Sequence, residues 1–249
     1  MKFLIGFFVS TLFLSAGPAA ERQSDTGLVD SPQPANIRID HDIVAENQPV
    51  SSILQDVLRG TGVPGGFAQI AVCSDVPKGR LKLKQGTTIR EAMDAFIATN
   101  PNYRWRLQGG VVNLMPRDDV PLLDTKIVEF DKDATDREIP AVLQDMLGLD
   151  EVRKRAAALG LKEGFWQGGP GAVEEHPVPR QPVPVHISLR NVSLRDAFNE
   201  VVRTSGKGVL WIYYETDCNG ERTYIVEVSD YQWGAPSPAA NDGPISSER

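Results

Sequence analysis

Two cysteines, three histidines and a set of aromatics interleaved with arginines are the residues whose chemistry could go beyond packing. Cys73 and Cys218 can form a disulfide in an oxidising compartment, or remain two thiols in separate strand-end and loop environments. No CxxC or HxxxH spacing gathers them with the histidines into a metal site, so neither metal nor other cofactor is expected. His41 lies between Asp40 and Asp42, the pattern of a solvated acidic strand end. His186 occupies a polar position of an alternating strand and His176 a proline-rich loop, and neither has a serine in an elbow such as GxSxG beside it. Hydrolysis needs nucleophile, base and orienting group together. The chain is therefore expected to be non-enzymatic.

The aromatics point to binding. Tyr103 and Trp105 alternate with Arg104 and Arg106, and Trp211, Tyr213, Tyr214 and Tyr224 enrich a second hairpin. One face of each hairpin must pack on its own helices. The opposite face is the candidate interaction surface, assigned to Arg104, Trp105, Arg106, Trp211, Tyr213, Tyr214 and Tyr224, because Tyr, Trp and Arg anchor many interfaces. Lys82 and Lys84 are expected to extend Arg104 and Arg106 into a basic stripe, and an exposed strand edge could accept a partner strand. With a formal charge of −7, nucleic acid is an unsuitable partner, since phosphate-backbone binding needs a basic surface.

These residues sit on elements that occur twice. Leu81–Phe96, LKLKQGTTIREAMDAF, passes from an alternating strand through a turn into Thr88, with Glu91 three residues on. His186–Phe198, HISLRNVSLRDAF, does the same with Ser193 and Asp196. Hydroxyl and acid at that spacing form a capping box or its near equivalent. Behind each cap the apolar residues fall on one helical face: Ile89, Ala92, Met93, Phe96 and Ile97, then Leu194, Ala197, Phe198, Val201 and Val202. Upstream, Ile53, Leu54, Val57 and Leu58 mark one amphipathic helix, and Ile139, Val142, Leu143, Met146 and Leu147 another. Asn36–Asp40, Phe67–Cys73 and Lys126–Phe130 are expected strands. Gly109-Gly110 and Asn219-Gly220 mark hairpin turns.

The expected class is α+β: two tandem small modules, each a few-stranded mixed sheet packed on two helices. The chain has 249 residues, and its 18 prolines and 22 glycines concentrate at the joints. Residues 1–20 have the charge, apolar run and small-residue end of a secretory signal, cleaved near Ala19 or Ala20. Residues 21–35 form a flexible leader, 36–117 the first module, 118–124 a linker, 125–231 the second module with an insertion at 148–184, and 232–249 a disordered tail. Within the insertion, Asp150–Leu159 has a helical pattern and Gly168–Pro184 is a Pro/Gly-rich loop. The mature protein is expected in the periplasm or outside the cell, without stable membrane insertion.

The order strand, helix, strand, then a strand leading into a second helix, with the pattern carried on Leu81, Leu83, Thr88, Ile89, Glu91, Ala92 and Phe96, resembles the short N-terminal module of secretins and TonB-dependent receptors. The second copy carries the pattern on Ile187, Leu189, Val192, Ser193, Leu194, Asp196, Ala197 and Phe198. The resemblance implies a periplasmic α+β module that contacts other proteins. No barrel or plug segment accompanies it here, so it carries over only the expectation of contact with an envelope or secretion-system protein, or self-association. The alternative is a small ligand or glycan held in the groove between the modules.

Overall fold

The computed structural model describes residues 34–73, 75–164, 182–206 and 208–230. The expected signal, most of the leader, the tail and most of the Pro/Gly-rich loop lie outside these residues. Ten strands and five helices follow in the order β1(Ile43–Pro49), α1(Val50–Leu58), β2(Gly65–Val72), β3(Lys78–Leu83), α2(Ile89–Thr99), β4(Tyr103–Gln108), β5(Val111–Pro116), β6(Lys126–Thr135), α3(Ile139–Leu147), α4(Asp150–Ala158), β7(Leu161–Glu163), β8(Pro184–Ser193), α5(Leu194–Thr204), β9(Val209–Cys218) and β10(Glu221–Asp230). The fold is α+β.

The internal repeat extends to the strand pairings. β1 pairs antiparallel with β3, as β6 does with β8. β4 and β5 form one antiparallel hairpin and β9 and β10 the other. β2 lies parallel to β5, and β7 parallel to β10. α4 is the added element of the second copy, matching the helical pattern in its insertion. The cap residues act as their spacing requires: Thr88 accepts from the Glu91 backbone N–H in a complete capping box, and Ser193 accepts from that of Asp196.

The expectation of a sheet for each module is refined by one connection. β2 also pairs parallel with β9, from Gly65 opposite Leu210 to Val72 opposite Asp217, giving a six-stranded sheet of order β4-β5-β2-β9-β10-β7. Successive side chains of a strand point to opposite faces. Leu210 and Ile212 thus enter the core built by α1 and α2, whereas Val209, Trp211 and Tyr213 enter the core of α3 and α5. β2 and β5 divide in the same way, Phe67, Val112 and Leu114 to one core and Ala68, Val111 and Met115 to the other. The two repeats cover opposite faces of a shared sheet, so the central strands are nearly continuous apolar runs.

Several boundaries differ from the sequence expectation. Asn36–Asp40 is not a regular strand: a 3-10 turn covers Pro34–Asn36, and Arg38 makes a single bridge with Thr88. Ile39 N–H donates to the Thr87 carbonyl and Ile89 N–H to that of Ile37, so this segment ties down the entrance of α2. Ala35, assigned to the flexible leader, is fully buried. The linker is also built into the fold: Val120, Leu122 and Leu123 are buried in the second core, and the Leu123 carbonyl accepts from Arg195 N–H.

Cys73 and Cys218 form a disulfide, with Cα atoms 4.5 Å apart and a sequence separation of 145. It closes the seam just beyond the last β2–β9 pair. Within the seam, Gly66 lies against the Trp211 indole, where a Cβ would collide with the ring. Overpacking a filled core costs about 1–3 kcal/mol. Gly66→Ala is expected to lower the unfolding free energy by about that amount, measured by urea denaturation with the disulfide intact.

Candidate functional site

β4 has the sequence YRWRLQ, in which alternation sends Tyr103, Trp105 and Leu107 to the α1/α2 core and Arg104, Arg106 and Gln108 to the other face. Tyr103 is buried beside Phe67 and Phe96, at ring-centroid distances of 6.1 Å to each. Burial pushes its phenol up to about 12. Trp105 is held by its Nε1–H donating to Asp94 at 2.8 Å and by the Arg90 guanidinium 5.9 Å from its ring centroid. These contacts fix the strand from the inner side.

On the other face, Arg104, Arg106 and Arg195 meet in a cleft of about 190 Å³ that Trp105, Met115 and Asp124 complete. Arg195 pairs with Asp124 at 3.0 Å, while Arg104 reaches Asp119 only at 3.6 Å. The Arg195 Nε atom is buried without a partner. Burial, followed by repulsion from Arg195, holds the Arg106 guanidinium below the usual arginine value. Gln108 ends the strand by donating to the Asp196 carboxylate, so Asp196 serves the junction between modules.

β4 is also the outer strand of its sheet, with no second strand beside it among the described residues. The Arg117 N–H donates to the Asn102 carbonyl at 2.8 Å, which sets the parity of the β4–β5 ladder. In an antiparallel pair, alternate residues turn both backbone groups towards the neighbouring strand. Residues 102, 104, 106 and 108 therefore face β5, and the N–H and C=O of Trp105 and Leu107 face outward. Tyr103 N–H is satisfied by the Asn100 carbonyl at 3.2 Å. What remains is a short edge carrying two open donor–acceptor pairs beneath two arginines.

Comparison with protein-family models, curated proteins and solved structures gives no match. The site is therefore defined by its own geometry.

Of the seven residues assigned to an interaction surface, Arg104 and Arg106 are exposed, and Trp105 and Tyr214 are partly buried. Trp211, Tyr213 and Tyr224 are corrected to core residues, because the shared sheet is covered on both faces. Trp211 donates to Asn199 at 2.8 Å, and the Tyr213 hydroxyl donates to Glu215 at 3.1 Å, deep enough that burial pushes the phenol pKa up strongly. The basic stripe is also corrected: Lys82 lies on the β1–β3 ribbon, a different sheet from β4, and Lys84, just past the end of β3, pairs with Asp42 at 2.7 Å. His41 bonds Asp40 at 2.7 Å and His186 bonds Asp133 at 2.8 Å, both in exposed settings, whereas His176 lies outside the described residues.

Arg195 was missed as a site residue because its sequence signal is that of a helix start. The repeat itself held the clue. Arg195 follows Ser193 as Arg90 follows Thr88, and the two equivalent arginines reach β4 from opposite faces.

A tyrosine pKa raised above its ordinary value of ~10 stabilises the fold fully below that pH and loses the contribution as pH rises through the folded value. Urea midpoints should fall between about pH 10 and 12, the folded value of Tyr103. In Tyr103→Phe the decline should be shallower, with absorbance at 295 nm reporting one fewer late-ionising phenol.

Proposed function

We infer that this chain is a periplasmic or secreted, non-enzymatic protein-contact module, built from two secretin/TonB-receptor-type units and directed at an envelope or secretion-system protein or at itself. The observation that carries this reading is the open β4 edge beside the arginine cleft. An edge strand with free backbone groups is a ready template for another chain. The β2–β9 seam supports the same view, since this fold already joins its modules by adding a strand to a sheet edge. The Cys73–Cys218 disulfide favours an oxidising compartment. Among the described residues, no helix is long and apolar enough to cross a membrane.

The test is photo-crosslinking in the native envelope, with a photoreactive side chain replacing Arg104 or, as a control, Lys154 on the exposed surface of α4. A discrete adduct from position 104 and none from 154 is the expected outcome. Equal labelling from both positions, or none from either, would overturn the assignment.

A second reading, binding of a small polar ligand between the modules, has one observation in its favour. A cleft of about 240 Å³ between the β4–β5 hairpin tip and α5 is lined by Gln108 and Asn199. Gln108 Oε1 and Asn199 Nδ2 are buried without partners, their amide orientations set by the bonds to Asp196 and Trp211. A thermal-shift screen of monosaccharides and amino-acid amides should then give a stabilising compound whose effect is lost in Asn199→Ala. If no compound stabilises the wild type, this reading falls.

A further inference from the structure

We propose that the β4 edge binds a partner protein through an extended acidic segment, added antiparallel to β4, with carboxylates at alternate positions facing Arg106 and Arg104 and apolar residues between them. This rests on the reading of the chain as a protein-contact module and assigns the chemistry of its partner.

The backbone geometry determines the pattern. An incoming antiparallel strand takes up the free N–H and C=O groups of Trp105 and Leu107. The residue opposite Arg106 then belongs to a non-hydrogen-bonded pair, where side chains approach most closely, and it points to the same face as Arg106. The residue two positions further along lies opposite Arg104. The residues flanking these on the incoming strand point to the other face, beside the partly buried Trp105 and Leu107. An acid–apolar–acid sequence is what such a site selects.

Charge complementarity favours an acidic occupant. The chain is acidic as a whole, yet this edge gathers Arg104, Arg106 and Arg195 in one cleft. The Arg106 guanidinium makes no ion pair or hydrogen bond with a described residue, and the contact of Arg104 with Asp119 is long at 3.6 Å. Their guanidiniums can therefore take a carboxylate without breaking a short pair. Arg195 lines the same cleft and adds a third guanidinium to it. The contacts of Trp105 with Asp94 and Arg90 hold the edge in shape before a partner arrives, which limits the ordering cost on binding.

The probe is a capped eight-residue peptide of alternating Glu and Val, titrated into the full disulfide-bonded chain and followed by fluorescence anisotropy. Its controls are the same residues in two blocks and an alternating Lys/Val peptide. The alternating acidic peptide should bind at least about tenfold tighter than either control, weaken as salt rises, and slow hydrogen exchange at Trp105 and Leu107. Arg106→Gln should weaken it about tenfold. Leu107→Pro removes an outward N–H that no ladder bond uses, a replacement edge strands tolerate, and it should weaken the peptide comparably. Urea midpoints check that both variants stay folded.

Equal binding of the alternating and blocked peptides would overturn the proposal, as would unchanged exchange at Trp105 and Leu107. Sensitivity to Arg106→Gln without sensitivity to Leu107→Pro would also overturn it, reducing the site to a general anion cleft. If light scattering shows a dimer that Leu107→Pro dissolves, the occupant is a second copy and the acidic-partner assignment is wrong. A crosslink from position 104 without peptide binding would leave the contact-module reading standing and remove only the acidic-segment assignment.

Discussion

The parallel pairing of β2 with β9 is the constraint on which the rest of the structure depends. It runs from Gly65 opposite Leu210 to Val72 opposite Asp217 and joins two three-stranded sheets into one. Because side chains alternate along each strand, the join forces the repeats onto opposite faces and obliges both faces to be apolar. Gly66 meets that requirement on β2 by leaving room for the Trp211 indole. The carboxylate that β9 carries into this interior is tied down: Glu215, 2 % exposed, accepts from the Tyr213 hydroxyl and pairs with Arg222. Removing Arg222 would leave the Glu215 carboxylate without its charge partner in a low-dielectric interior.

The seam also explains why the two hairpins have different fates. β4 and β9 are equivalent strands, but β9 is enclosed by β2 on one side and β10 on the other, while β4 has β5 alone among the described residues. The outward residues differ accordingly. Leu210, Ile212 and Tyr214 of β9 pack towards the α1/α2 core, whereas the corresponding Arg104, Arg106 and Gln108 of β4 are polar. At the far side of the sheet β7 has only three residues, a length that limits pairing with a further strand. The longer edge is the one that carries the arginines.

Much of this fold was legible in the sequence because its signals are local. The caps at Thr88 and Ser193 and the turns at Gly109-Gly110 and Asn219-Gly220 fall where backbone chemistry puts them, as do the apolar faces of α1, α2, α3 and α5. The burial of Trp211, Tyr213 and Tyr224 was not legible. Alternation shows that a strand has two faces, but whether the second is covered depends on a pairing between segments about 145 residues apart. Asn36–Asp40 misled for a related reason: its alternation reflects anchoring at the α2 entrance, and no second strand turns it into a ladder. In the candidate site, Arg104 and Arg106 stood out by their interleaving with aromatics. Arg195 did not, since its approach to β4 is set by how the modules stack.

The Cys73–Cys218 bond has a mechanical consequence. A pull applied between residues 34 and 230 enters through β1, α1 and β2, reaches Cys73, crosses the sulfur bridge to Cys218 and leaves through β10. Every element from β3 to β9 then lies in a closed loop off the line of tension. β4 is within that loop, so tension between the two ends does not run along its backbone.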